Sequence, residues 1–161
     1  MKKITIIFSA IALSLLVACG GSETKTTENA GGEASGDATA NTENYDPHRG
    51  EGKWDHDNLN LTANVDANMA AEGKKIYDVK CASCHKTTDE RLVGPGWKGV
   101  TTRQKPAWIM NFITNPDAMI DKDPELQAQL EICLVRMPNQ NLTDDDARHL
   151  LEFMRQNDSS K

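Results

Sequence analysis

The sequence predicts a small all-α domain over residues 65–157 of a 161-residue chain. Several stretches repeat apolar residues at helical spacing, and each begins at a capping residue or a proline, which are helix start signals. No alternating strand pattern accompanies them. The last stretch runs from Thr143, a threonine cap followed by acidic residues, to about Gln156. Its apolar residues follow the i, i+3, i+4, i+7 spacing of one helical face: Ala147, Leu150, Leu151 and Met154.

The first helix is predicted from Asp66, a good N-cap residue, to Lys80. Gly73 and Ile76 share one face of this helix, and Tyr77 lies beside them. A glycine inside a helix costs about 1 kcal/mol relative to alanine. A close packing contact at Gly73 would explain why it is there.

Two helices are predicted between the first and the last. Pro106 opens one of them, because proline is favoured at the first helical position, and this helix continues to about Thr114 before Asn115-Pro116 ends it. Asp123 caps the other, which starts with Pro124.

Residues 1–18 are predicted to be a signal peptide. Two lysines precede an apolar run from Ile4 to Val17, which is short for a membrane span of about 20 residues but suits a signal sequence. The run ends in Leu-Val-Ala-Cys and so resembles a bacterial lipobox. That resemblance implies that Cys19 is acylated and anchors the protein in the cell envelope, facing the periplasm. Gly20, which follows the cysteine, is compatible with sorting to the outer membrane. The alternative to a lipoprotein signal is an ordinary secretory signal or an uncleaved anchor.

Composition divides the rest of the chain. Residues 19–44 hold the lipidated cysteine and a polar stretch without apolar periodicity, which predicts a disordered tether. Residues 45–64 form an extension, either draped over the domain or docking a partner, and residues 158–161 a short tail. The formal net charge is −6, and about −8 without the two leader lysines. This acidity argues against nucleic-acid binding, which needs clustered Lys and Arg.

The central motif is Cys81-Ala-Ser-Cys84-His85. The spacing C-x-x-C-H is typical of c-type haem attachment, in which two thiols one helical turn apart bind one haem edge and the histidine binds the iron. A thioredoxin-like motif would accompany a βαβ pattern, and none is visible. A zinc site would need a second ligand pair, but His48 and His56 precede the motif without the usual spacing. The sequence therefore predicts one covalent haem c.

The surrounding chain resembles class I cytochromes c from about residue 65 to 156. The matching segments are Gly73-x-x-x-Tyr77, the Gly-Pro loop at 94–99 and Met137-Pro138. The resemblance implies crossed N- and C-terminal helices with the haem in a helical and loop pocket. It also implies that the carbonyl of Pro95 accepts a hydrogen bond from His85. Trp97 occupies the usual Leu position of the loop and is predicted to contact the haem.

The resemblance makes Met137 the sixth iron ligand, because the family places a Met-Pro loop before its last helix. A methionine sulfur favours ferrous iron. Among the other candidates Met119 is the serious rival, since it is predicted to lie in a loop; Met69, Met110 and Met154 fall in predicted helices, where methionine usually fills the core.

Two more side chains have two interpretations each. Trp108 either bonds a haem propionate through its indole or packs in the core. Cys133 is either a small buried residue or a redox-active or intermolecular thiol.

A set of cations flanking the expected cleft forms either a docking rim or an ordinary solvated face: Lys80, Lys86, Lys98, Arg103 and Lys105.

An iron with two axial protein ligands has no open position, so the sequence predicts a one-electron carrier with protein redox partners and no small-molecule substrate. The alternatives are a haem enzyme or gas sensor with a labile sixth ligand, and a cytochrome subunit fixed in a respiratory complex. The segment from Val93 to Glu152 resembles lipoprotein cytochromes that accompany nitrous-oxide reductase. That resemblance implies electron delivery to a terminal reductase in the periplasm.

Overall fold

The computed structural model describes residues 45–160, and the predicted signal peptide, Cys19 and tether lie outside them. Within the described residues the fold is all-α, as predicted. The six helices are α1 (Ala67–Lys80), α2 (Val100–Arg103), α3 (Pro106–Thr114), α4 (Pro116–Ile120), α5 (Pro124–Cys133) and α6 (Asp144–Ser159). No helix in this part of the chain has both the length and the apolar character needed to cross a membrane.

The predicted helix starts are confirmed by their caps. The Asp66 carboxylate accepts hydrogen bonds from the second and third amides of α1, and Asp123 does the same for α5. Pro106 occupies the first turn of α3. Thr143 and Asp146 form a reciprocal capping box at the start of α6. These side chains satisfy amide groups that the helices cannot satisfy internally.

Two parts of the fold differ from the sequence prediction. Asn115-Pro116 ends α3 as expected, but Pro116 also opens the short helix α4, so that Met119 is helical and fully buried instead of lying in a loop. Helix α6 continues to Ser159, beyond the predicted end near Gln156. Asp158, predicted to lie in the tail, therefore belongs to the folded domain.

Helices α1 and α6 cross at Gly73. A Cβ atom at this position would collide with the backbone carbonyl of His149 in α6, so only glycine allows the helices to approach this closely. Tyr77 and Phe153 pack in the crossing with ring centroids 5.3 Å apart. The packing explanation for Gly73 is thereby confirmed.

The extension 45–64 lies against α3 and Asp123, the N-cap of α5, and is fixed by buried polar groups. Asn111, 1% exposed, donates from Nδ2 to the carbonyls of Arg49 and Trp54, and its Oδ1 accepts from the Trp54 amide at 2.9 Å. The Tyr45 hydroxyl donates to the buried Asp123 carboxylate, and burial together with this carboxylate raises the pKa of Tyr45 far above its ordinary value. The extension is part of the packed domain.

Candidate cofactor site

The Cys81–His85 segment begins where α1 ends. Cys81 is the C-cap of α1, and its carbonyl accepts the backbone amides of Cys84 and His85 at 3.0 and 2.9 Å. The Tyr77 hydroxyl donates to the His85 carbonyl at 2.6 Å. The segment therefore forms a tight turn bonded to the end of α1. Burial raises the pKa of the Cys81 thiol to about 11.

His85 is held by the loop that follows it. Its Nδ1 lies 2.8 Å from the carbonyl oxygen of Pro95, so Nδ1 carries the donated proton and Nε2 is left as the donor atom for a metal. Burial lowers the pKa of His85, and the bond to Pro95 partly opposes this shift. A Cβ at Gly94 would collide with the His85 ring, which explains the glycine before Pro95.

Two apolar cavities meet at His85. The first, about 630 Å³ including the solvent at its mouth, is lined by Cys84, Cys133 and Val135. The second, about 720 Å³ measured in the same way, is lined by Trp97, Trp108 and Met154. The lining residues common to both cavities are His85, Pro95, Phe112, Leu126, Gln129 and Met137. The cavities are thus two parts of one cleft with His85 and Met137 in its wall.

Met137 lies in the irregular segment between α5 and α6, which is fastened at both sides. On one side Arg136 pairs with Asp117 in α4 and with Asp121, the C-cap of α4, at 3.0 and 2.9 Å. On the other side Lys80 of α1 donates to the carbonyl of Gln140 at 3.0 Å. Met119, its predicted rival, packs instead against Gly50 and lines neither part of the cleft.

The two tryptophans have different surroundings. Trp97 is buried beside the His85 ring, with centroids 5.7 Å apart, and also packs on Tyr77 at 4.9 Å. Trp108 lines the cleft, but its indole N–H donates to Asp123 at 2.9 Å. The structure therefore favours core packing for Trp108 over a bond to a propionate, because its donor is already used by a buried carboxylate.

Sequence reasoning missed the position of Cys133. Neither alternative placed this thiol at the cleft, yet it is half-buried in the cleft wall, and Nη1 of Arg91 lies 2.8 Å from its sulfur. The proposed cationic rim is also altered. Lys86 pairs with Glu90 at 2.7 Å, and Arg103 of α2 donates to two backbone carbonyls of the preceding loop. These partners are close along the chain, but which backbone carbonyls Arg103 reaches depends on how the preceding loop folds.

The residues present fit a covalently attached haem. Cys84, the His85 imidazole with Nε2 free and the Met137 thioether line one apolar cleft. Cys81 lies three residues before Cys84 in the turn bonded to the end of α1. The fold and this site together define a small all-α protein that holds a single c-type haem.

Comparison with known proteins agrees with this class. A family model described as "Cytochrome c" matches residues 70–158. A cytochrome c from Rhodothermus marinus is similar in structure, with a TM-score of 0.64, 30% identity, and coverage of 71% of this chain and 95% of that one. An engineered form of that protein bound to a carbene intermediate gives a TM-score of 0.61 at 30% identity, covering 71% of this chain and 100% of that one. No curated protein sequence matches significantly.

The chain therefore belongs to the cytochrome c family. It is a class I cytochrome that binds one covalent c-type haem and functions in electron transport. The match ends at residue 158, within α6.

Proposed function

We propose that this cytochrome is a one-electron carrier of the cell envelope in which Cys81 and Cys84 attach the haem and His85 and Met137 bind its iron. The observation that carries the proposal is that His85 and Met137 line both parts of one apolar cleft, next to Cys84. The bound haem supplies a reversible one-electron couple, and this chain supplies the ligands and a dry, rigid surrounding.

The protein groups favour transfer without rearrangement. His85 is held from both ends, by the Tyr77 hydroxyl at its carbonyl and the Pro95 carbonyl at its ring. The Met137 segment is tied to α4 by Arg136 and to α1 by Lys80. Rigid ligands keep the geometry similar in the two oxidation states, which suits a carrier.

The rival function is a haem enzyme or gas sensor in which Met137 is easily displaced. The engineered relative bound to a carbene shows that a related scaffold can hold a ligand of that kind. The two functions differ in whether the reduced iron accepts an external ligand. We expect the visible spectrum of the reduced protein to be unchanged by carbon monoxide. A shifted spectrum would contradict the carrier and favour the enzyme or sensor.

Electrons are proposed to pass through an apolar rim at the mouth of the cleft. The loop at 91–93 and the end of α5 meet where Arg91 contacts Cys133. Together they expose five large apolar side chains, which we call the apolar rim: Leu92, Val93, Ile132, Leu134 and Val135. Val93 and Val135 also line the cleft. An exposed apolar rim of this kind fits a redox partner with an apolar face.

The rim is tested by electron self-exchange between oxidised and reduced copies, measured by nuclear magnetic resonance. We expect Leu134→Asp to lower the self-exchange rate severalfold, because Leu134 is 84% exposed and a charge there opposes apolar contact. Its backbone is left-handed (φ 56°), a conformation in which aspartate is enriched. Ala71→Asp adds the same charge on the exposed side of α1 and is the control. Equal rates for both variants would mean that transfer does not use the rim.

The location and the partner are proposed from the sequence. Cys19 and the polar segment after it support a lipid anchor with a tether, which would let the domain reach partners above a membrane. The resemblance of residues 93–152 to cytochromes that accompany nitrous-oxide reductase supports a terminal reductase in the periplasm as the electron acceptor.

A further inference from the structure

The C-terminal end of α6 is hydrogen-bonded to the loop that holds His85. Asp158 accepts three hydrogen bonds where that loop ends and α2 begins: Gly99 N donates to Oδ1 at 2.6 Å, while Thr101 N and Thr101 Oγ1 in the first turn of α2 donate to Oδ2 at 2.8 and 2.7 Å. One residue earlier, Nδ2 of Asn157 donates to the carbonyl of Thr87 at 2.9 Å. Both side chains are half-buried.

These contacts lie on both sides of the His85–Pro95 bond. Thr87 follows His85 by two residues, and Gly99 follows Pro95 by four. Between them the loop folds back on itself, since the amide of Trp97 donates to the Lys86 carbonyl at 2.8 Å. The end of α6 is therefore bonded both to the segment just after His85 and to the segment just after Pro95.

We infer that Asn157 and Asp158 are positioning residues for the axial histidine. By fixing the loop on both sides, they maintain the hydrogen bond from Nδ1 of His85 to the Pro95 carbonyl. This bond maintains the electron-donating character of the ring. This inference rests on the proposed iron ligation by His85. A ligating histidine depends on the partner of its second nitrogen for orientation and basicity, and hydrogen bonding beyond the ligands is one of the protein's controls on reduction potential.

Asp158→Asn tests the carboxylate with little change in shape. A carboxylate accepts from both backbone amides and the hydroxyl, whereas the single oxygen of an asparagine leaves one of these donors facing an NH₂ group. Asn157→Ala removes the bond to Thr87 without any change of charge. Asp145→Asn is the matched control, because Asp145 is exposed on the same helix and has no side-chain hydrogen bond within the described chain.

The first readout is hydrogen exchange of the His85 Nδ1 proton in the reduced holoprotein. We expect exchange about tenfold faster in Asp158→Asn and clearly faster in Asn157→Ala, with no change in Asp145→Asn. Backbone amides of α1 and α6 report global opening in the same samples. If the Nδ1 proton and these amides accelerate together, or the Nδ1 proton does not accelerate, the inference is overturned.

The second readout is the midpoint potential. A weaker bond from Nδ1 to Pro95 reduces donation to the iron and disfavours the ferric state, so we expect Asp158→Asn and Asn157→Ala to have a higher potential than the wild type. The neutral change Asn157→Ala must produce part of this rise; a rise confined to the charge variants would indicate a simple field effect and would contradict the inference. If the ring protons of His85 in the oxidised wild type lack a paramagnetic shift, the proposed ligation is wrong. This result is distinguishable from a failure of the inference on Asn157 and Asp158, which is read from the variants.

Discussion

Met137→Ala is expected to leave the sixth coordination position of the iron open to an external ligand. Its thioether is the proposed sixth ligand, so truncation leaves the Met137 side of the cleft without a donor. The reduced variant should bind carbon monoxide with a full change in its visible spectrum, and its midpoint potential should fall because the sulfur favours ferrous iron. We expect a fall of more than about 59 mV, the equivalent of a tenfold change for a one-electron couple.

The control variants for Met137→Ala replace two other methionines, Met119 and Met154. Met119 is fully buried and lines neither part of the cleft, whereas Met154 is 3% exposed and lines the second part. Met119→Leu and Met154→Leu each remove a sulfur while keeping a similar volume. Both should leave the reduced spectrum insensitive to carbon monoxide. Carbon monoxide binding by either control, with Met137→Ala unreactive, would reassign the sixth ligand.

The parts of the fold that depend on neighbouring residues were predictable. The helix caps Asp66, Asp123 and Thr143 act on amides two or three residues away, so local sequence is sufficient to place them. The C-x-x-C-H motif is also local, because its spacing matches the chemistry of attachment to one haem edge. The role of Gly73 followed from the family resemblance, and the crossing of α1 and α6 confirmed it.

The parts that depend on distant partners were not predictable. Asp158 finds its donors at Gly99 and Thr101, far away in the chain, and a polar residue near the end of a helix usually faces solvent. Cys133 reached the cleft only because α5 ends beside Arg91. Asn111 and its bonds to the extension pose the same difficulty, because an asparagine inside a helix gives no sequence signal for which backbone it will bind.

Glu152 is a second case in which one buried side chain bonds to distant parts of the chain. It is fully buried in α6, where Arg148 and Arg155 each lie 2.8 Å from its carboxylate. Oε2 also accepts the backbone amide of Asp66, the residue that caps α1, at 3.1 Å. The two arginines continue outward to the extension, with Arg148 donating to the Leu59 carbonyl and Arg155 to two carbonyls at residues 62 and 63. One carboxylate thereby joins α6, the start of α1 and the extension.

Glu152→Ala is therefore expected to destabilise the holoprotein strongly, by about 3–5 kcal/mol, the usual cost of removing one partner from a buried ion pair. Denaturant unfolding followed by far-ultraviolet circular dichroism measures this cost. Glu152→Gln, which keeps the shape and one acceptor, should fall between the wild type and the alanine variant. Glu72→Ala breaks an exposed pair with Lys75 and should shift the midpoint little. If Glu152→Ala shifts the midpoint no more than Glu72→Ala, the buried carboxylate does not hold these elements together. Faster proteolysis within residues 45–64 of Glu152→Ala would further show that the same group fastens the extension.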